Sequence, residues 1–224
     1  SSSSAASDVY KRQGLVDRMS IGVQSFNDDI LKLAERYEKF GSGEQIFERL
    51  QYAQELFPVC NVDMIFGFRG QTLDMLQSDM DKIRQLNPRQ VTTYPLMVTS
   101  QTRKSVKNVI AAEGSQLAEQ YGVIMDTLGS HYRQLTSWTF GRTNDEGFDE
   151  YVVDHDEYLG VGSGAFSFLG DSLYVNTFSL RRYGERIAAG HTGVERRRQF
   201  DKHSILQYRL MLGLFSCLLY TSDA

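Results

Sequence analysis

Two stretches of the chain share one pattern of apolar and polar positions. Arg18 to Phe26 reads Arg-Met-Ser-Ile-Gly-Val-Gln-Ser-Phe, and Asn61 to Gly67 reads Asn-Val-Asp-Met-Ile-Phe-Gly. Each is a short apolar run with a polar residue at or inside its end, and each leads into apolar positions at helical spacing. A buried parallel strand followed by its crossover helix reads this way. After the first run, Asn27 is placed as the N-cap of a helix with Ile30, Leu31, Ala34 and Tyr37 on one face. Asp28 and Asp29 lie near its positive end, and Gly41 and Gly43 end it. Ile46, Leu50, Ala53 and Phe57 mark a second helix, which Pro58 stops. Leu73, Leu76, Met80 and Ile83 mark a third, from Thr72 to Leu86, closed by Asn87-Pro88 and followed by a strand from Val91 to Met97. Two such strand-helix-strand units in series, with right-handed crossovers, predict a parallel sheet with helices outside it. Ligands in such folds bind at the C-terminal strand ends, where Gln24 stands; Asp63 lies within the second strand.

The character changes from Gln101. Ala111 to Tyr132 reads as a long helix with Leu117, Tyr121, Ile124, Met125 and Leu128 as its core face, Leu135 to Phe140 as a strand, and Thr143 to Gly147 as a polar turn. Tyr158 to Phe168 is glycine-dense, so backbone there can approach a ligand closely, although the same composition makes bulges and tight bends. Tyr174 to Thr177 is strand-like, a helix runs through Tyr183 and Ile187, Arg196 to Arg198 is a charge run suited to a solvated face or linker, and His203 to Phe215 starts another helix. Trp138, Phe140 and Arg142 alternate, as residues facing a flat macrocycle would and as ordinary packing also produces.

Composition changes this picture little. The chain has 224 residues, 41% of them hydrophobic, which is enough for one sizeable core. A net charge of −4 with no basic stripe argues against nucleic acid as a partner. No apolar run approaches a membrane span and no signal-peptide pattern is present, so the expected compartment is the cytoplasm.

The two ends do change it. Asp8 to Gln13 can be encoded as GATGTGTATAAGAGACAG, and the reverse complement, read one base in, encodes Cys217 to Ser222; extension through Ser7 and Ala6 accounts for Asp223 and Ala224. Residues 1–13 and 217–224 therefore read as one translated transposon-type sequencing adaptor in opposite orientations, outside the fold. That leaves a single cysteine, Cys60, expected to be a small buried hydrophobe. The four histidines, His131, His155, His191 and His203, have no metal-ligand spacing.

Arg18 to Phe26, then Leu31-Lys32 and Arg36, Asn61 to Gly67, Gly70-Gln71-Thr72, Leu86-Asn87-Pro88, Gly160-Val161-Gly162-Ser163-Gly164-Ala165 and Asn176, in this order and spacing, resemble one family. It is the radical S-adenosylmethionine family of oxygen-independent coproporphyrinogen III oxidases and haem chaperones. The resemblance implies an α/β fold: the C-terminal part of a partial (β/α)6 barrel over residues 14–100, a smaller α+β extension over 101–200, and the start of a helical domain over 201–216. It implies S-adenosylmethionine and a four-iron four-sulfur cluster as cofactors and a tetrapyrrole substrate or haem as partner. An electron donor such as flavodoxin or ferredoxin is implied too. The oxidases convert two propionate side chains to vinyl groups by oxidative decarboxylation, whereas the chaperones bind haem and hand it on.

Residue by residue, the resemblance carries S-adenosylmethionine contacts onto Gln24, Arg36 and Asp63, and places Met97 and Phe166 in the adenine pocket. An amide can bond the ligand's polar groups, a guanidinium suits its carboxylate, and a carboxylate accepts from amine or ribose. Each has an ordinary alternative. Gln24 could satisfy buried backbone, Arg36 could pair with Glu35 or Glu38, Asp63 could cap a turn, and Met97 and Phe166 could be plain core. His155, near Tyr158, is a candidate haem contact. The family's Cys-x-x-x-Cys-x-x-Cys loop belongs upstream of residue 14 and is absent, so no cluster ligand and no catalytic residue is expected in this chain. Arg69 stands where the family usually has proline. The haem-chaperone motif His-Asn-x-x-Tyr-Trp is replaced by Leu135 to Arg142, Leu-Thr-Ser-Trp-Thr-Phe-Gly-Arg, which also is not a close copy of the oxidase pattern.

An opened barrel leaves the strand from Met19 to Gln24 without its earlier neighbour, so the isolated chain is expected to be marginally stable. A sharp, cooperative thermal transition of a monomer, followed by circular dichroism, would overturn this.

Overall fold

The computed structural model describes residues 16, 18–98, 112–143 and 155–215. The adaptor-like ends and most of the turn expected from Thr143 to Gly147 lie outside them. The chain forms two compact units that divide between Glu146 and Gly147. Among the described residues no helix is long and apolar enough to cross a membrane.

In the first unit, β1 (Arg18–Gln24), β2 (Val59–Phe66) and β3 (Gln90–Pro95) are parallel neighbours, as the two strand-helix-strand patterns require. The sheet continues through an antiparallel hairpin, β4 (Tyr132–Gln134) and β5 (Thr139–Arg142), in the order β1-β2-β3-β5-β4. The single strand expected over Leu135 to Phe140 is thus largely a turn. Thr136 Oγ1 accepts from the amides of Trp138 and Thr139 and closes it.

The first crossover is more broken than its apolar spacing suggests. It contains α1 (Asp28–Leu33), α2 (Tyr37–Phe40) and α3 (Gly43–Leu56), interrupted where Glu35 takes a φ of +55°. Asn27 caps α1 as expected, its Oδ1 accepting from Asp29 and Ile30 amides. Ser42 and Gln45 form a capping box that starts α3 beside Phe26, where a Cβ on Gly43 would lie 1.7 Å from the Phe26 carbonyl oxygen. The second crossover is α4 (Leu73–Leu86), capped by Thr72 and ended by Asn87 at φ +49°. The long helix expected from Ala111 to Tyr132 is α5 (Gly114–Leu128), with Gly129 as its C-cap.

One face of the sheet carries Val23, Val62, Met64, Phe66, Val91 and Phe140, which pack against Phe47 and Leu50 of α3, Met80 and Ile83 of α4, and Ile124 and Leu128 of α5. Burial of this many large side chains, at roughly 1.5–3 kcal/mol each, is what holds the helices to the sheet.

The second unit is an antiparallel sheet, β6 (Phe166–Leu169), β7 (Ser172–Asn176) and β8 (Val194–Gln199), with α6 (Leu180–Ala188) and α7 (Lys202–Phe215). The charge run Arg196 to Arg198 is therefore a solvated face, carried on an edge strand, and not a linker. Both its faces are polar, so no apolar alternation marked it; Arg197 lies over the Tyr174 ring and donates to Ser172 Oγ. Phe168 stacks against Phe200 and Tyr208.

One buried carboxyl ties the first unit together. Asp79 of α4 is 2% exposed and accepts from the Ser25 hydroxyl at 2.6 Å and from the Phe26 amide at 2.8 Å. Burial pushes it up to about 6 from an ordinary 3.8, against the opposing pull of those hydrogen bonds and of Lys82. A carboxyl raised on folding contributes stability that is present below its unfolded value and is lost as pH rises through its folded value, here about 3 kcal/mol between pH 4 and 7. Asp79→Asn removes that titration. The stability difference between wild type and variant, from urea denaturation, is expected to shift in the variant's favour by that amount across the window; a pH-independent difference would overturn this.

Candidate functional site

The face of the sheet opposite the helices is polar. In a parallel ladder, residues in register point to the same side. Ser20 pairs with Asn61, Asn61 with Gln90, Gly22 with Asp63, and Asp63 with Thr92. Asn61 Nδ2 donates to Ser20 Oγ and to Asp63 Oδ1, both at 2.8 Å. The Ser20 hydroxyl donates to Asp63 Oδ2 at 2.6 Å, and Thr92 Oγ1 donates to Asn61 Oδ1 at 3.1 Å. Both Asp63 oxygens are thus held, Oδ2 by Ser20 on the neighbouring strand and Oδ1 by Asn61 on its own strand. Ser20, Asn61 and Thr92 were missed from sequence, although polar residues at every second position of all three strands carried the signal.

Gly22 is the point on which the expected residues converge. It is in register with Asp63, its carbonyl accepts from Arg36 Nη2 at 2.6 Å, and a Cβ built on it would lie 3.1 Å from Gln24 Nε2. The β1–β2 register slips between Gly22 and Gln24, and Gln24 takes a φ of +72°, a left-handed conformation that L-residues with a side chain rarely adopt. Gln24 Oε1 is buried with no hydrogen-bond partner among the described residues. Arg36 lies over the Phe40 ring at 4.4 Å, and burial holds its guanidinium below the usual arginine range; its Nε is likewise buried without a partner. A cavity of about 150 Å³ opens beside it, lined by Ile21, Phe40, Ile46, Arg49 and Leu50. Buried polar atoms without partners are uncommon in native structures, and here they are one acceptor and one donor, the pair a zwitterionic ligand would satisfy.

The other candidates fall elsewhere. Met97, just past β3, is 70% exposed and so is not core. Phe166 belongs to the second unit, where it is 44% exposed and meets Phe178 edge-on at 6.2 Å. In that unit Asn176 Nδ2 donates to the Gly162 carbonyl at 2.9 Å, and the Gly164 amide donates to Thr177 O at 2.9 Å, so the glycine-dense segment is a braced loop. His155 is exposed. The alternation of Trp138, Phe140 and Arg142 is packing and not a macrocycle face. Phe140 is wholly buried in the core, Trp138 packs against Phe66 and Tyr121, and Arg142 donates to the carbonyls of Asn87 and Pro88. Cys60 is buried, its thiol pushed up to about 11 by that burial, and the described residues contain no cluster of side chains able to hold a metal.

Against known proteins, residues 6–83 match the model of the radical SAM superfamily. The haem chaperone HemW of Bacillus subtilis is 28% identical over 189 residues, which cover 80% of this chain and 48% of the chaperone. The oxygen-independent coproporphyrinogen III oxidase of Salmonella typhimurium is 24% identical over 198 residues, covering 80% of this chain and 42% of the oxidase. The solved structure of coproporphyrinogen III oxidase (HemN) from Escherichia coli superposes with a TM-score of 0.76 at 21% identity, over 94% of this chain and 52% of that one.

These similarities support the family that the sequence motifs resemble, the radical SAM oxidases and haem chaperones. The chain spans about half the length of the curated relatives it matches. The likeness to the solved oxidase establishes the partial-barrel α/β fold, and within that fold Gly22 and its neighbours stand at the C-terminal end of β1.

The polar network generates a stability prediction. Asn61→Leu leaves Asp63 and the Thr92 hydroxyl short of partners and is expected to cost about 2–4 kcal/mol, against about 1 kcal/mol for Ser20→Ala. Equal losses in chemical denaturation would overturn the central place given to Asn61.

Proposed function

We propose that Gln24, Arg36 and Asp63 form part of an S-adenosylmethionine site in a protein that acts on a tetrapyrrole, as an oxygen-independent coproporphyrinogen III oxidase does. The observation that carries this reading is the convergence of the three residues on Gly22, with Gln24 Oε1 and Arg36 Nε buried and unsatisfied, in a chain that matches the radical SAM superfamily over residues 6–83.

The residues present fit the ligand. Arg36 offers its remaining guanidinium donors to the methionyl carboxylate, Gln24 Oε1 accepts from an ammonium or hydroxyl, and Asp63 accepts from amine or ribose. Met97, exposed just past β3, supplies apolar surface for the adenine ring. When bound with its cluster, S-adenosylmethionine supplies a deoxyadenosyl radical that abstracts hydrogen from the substrate. The chain's own part is to bind, orient and exclude water.

The cluster itself does not fit the described residues, whose one cysteine is buried and inert. The 224-residue chain by itself is therefore read as inactive, with the cluster cysteines supplied by the longer parent. In that parent a flavodoxin or ferredoxin supplies electrons, the compartment is the cytoplasm and nucleic acid is not a partner.

The second reading is haem binding and transfer, supported by the similarity to the Bacillus subtilis chaperone. The parent's cysteine loop separates the two, because a fourth cysteine one residue past the third marks the oxidases and phenylalanine there marks the chaperones.

Equilibrium dialysis of the chain with labelled S-adenosylmethionine tests the site. Gln24→Ala and Arg36→Ala are each expected to weaken binding by about tenfold or more, as loss of a buried or charge-assisted hydrogen bond does. Unchanged affinity in both variants would remove these residues from the site. In the parent, anaerobic conversion of coproporphyrinogen to protoporphyrinogen separates oxidase from chaperone.

A further inference from the structure

Gln24 keeps a backbone φ of +72°, and its side-chain Oε1 has no hydrogen-bond partner among the described residues. The three residues that follow are held by hydrogen bonds. The Ser25 hydroxyl donates to Asp79 Oδ2 at 2.6 Å, the Phe26 amide donates to Asp79 Oδ1 at 2.8 Å, and the Asn27 amide donates to Ser25 Oγ at 3.0 Å. Asp79 reaches this turn from the middle of α4, on the face of the sheet away from Asp63, and is 2% exposed. Phe26 is fixed further by its edge contact with Phe47 at 6.0 Å and by the close approach of Gly43. Lys82, one turn along α4, lies over the Phe26 ring and pairs with Glu44 at 2.8 Å, and its charge favours the Asp79 carboxylate, whose hydrogen bonds go to the turn.

We propose that Asp79 is a positioning residue for Gln24: by gripping Ser25 and Phe26 from α4 it locks the turn that aims the Gln24 amide into the site. The proposal rests on the reading of Gln24 as an S-adenosylmethionine contact. The grip survives either protonation state of Asp79, because the Ser25 hydroxyl can donate to a carboxylate or accept from a carboxyl without moving. It does require a polar group. A leucine at position 79 fills the space and deletes both bonds, whereas an asparagine keeps an acceptor for the Phe26 amide and a donor for Ser25 Oγ.

The test is run on the 224-residue chain with two readouts, amide hydrogen exchange and dialysis against labelled S-adenosylmethionine. Asp79→Leu is expected to speed exchange of the Phe26 and Asn27 amides about tenfold relative to that of Met64 in the core, and to weaken binding about tenfold. Asp79→Asn is expected to restore both. Adding Asp79→Leu to Gln24→Ala is expected to weaken binding no further than Gln24→Ala does, since the two changes remove one interaction. The proposal is overturned if Asp79→Leu raises Phe26 and Met64 exchange equally, which is loss of global stability only, or if the two substitutions multiply in binding. If Gln24→Ala leaves binding unchanged, or the wild type does not bind, while Asp79→Leu still frees the Phe26 amide selectively, the cofactor reading fails and Asp79 retains only its hold on the turn.

Discussion

The parallel register of β1 on β2 is the constraint from which the rest of the first unit follows. It sets Ser20 beside Asn61 and Gly22 beside Asp63, so every second residue of both strands faces the polar network and the residues between face the helices. A slip of β1 by one residue would turn Ser20 to the apolar helix layer and Ile21 and Val23 to the polar network. The register breaks only once, between Gly22 and Gln24, and that break lies where the expected ligand residues meet.

Two opposite solutions to burying polar groups sit on the two faces of this sheet. On one, buried Asn61 and Thr92 bond each other and Asn61 bonds half-buried Asp63 and exposed Ser20, so their burial carries little penalty. Next to them, Gln24 Oε1 and Arg36 Nε are buried and unsatisfied, a cost that a folded chain tolerates where a ligand completes the set. On the helix face, Asp79 is a buried carboxyl within the apolar layer, and it joins α4 to the turn after β1 across 54 positions of sequence. Unsatisfied Gln24 Oε1 thus belongs to the residue just before the turn that the buried carboxyl holds.

The second unit uses a different device. Its glycine-dense loop uses positive φ at Gly162 and Gly164 and close backbone approach at Gly160, where a Cβ would lie 2.1 Å from the Phe166 carbonyl oxygen, and the Asn176 amide and the Thr177 carbonyl brace it. The flexible composition of this loop and its fixed conformation are thus properties of two different segments, which is why glycine content alone said little about it.

The sequence by itself determined the three parallel strands, their crossover helices, the Asn27 cap and the family resemblance, because apolar spacing, capping residues and motif order are local properties. It also marked Gln24, Arg36 and Asp63, through a resemblance whose motifs sit at fixed spacing. Local reading failed where a residue's neighbours came from far along the chain. The hairpin of β4 and β5 looked like one strand because Thr136, which closes the turn, is indistinguishable in sequence from a strand residue. Trp138, Phe140 and Arg142 looked like a ligand face because alternation does not say which side is buried, and Arg196 to Arg198 showed no sign of a strand because an edge strand with two polar faces has no apolar period. Only the tertiary structure decided that Asn61 orders the Asp63 carboxylate, that Gly22 is where the candidate residues meet, and that Asp79 holds the turn beyond Gln24. Each of these depends on strands, turns and helices from different parts of the chain being brought together, which register and packing fix rather than the spacing of residues along the chain.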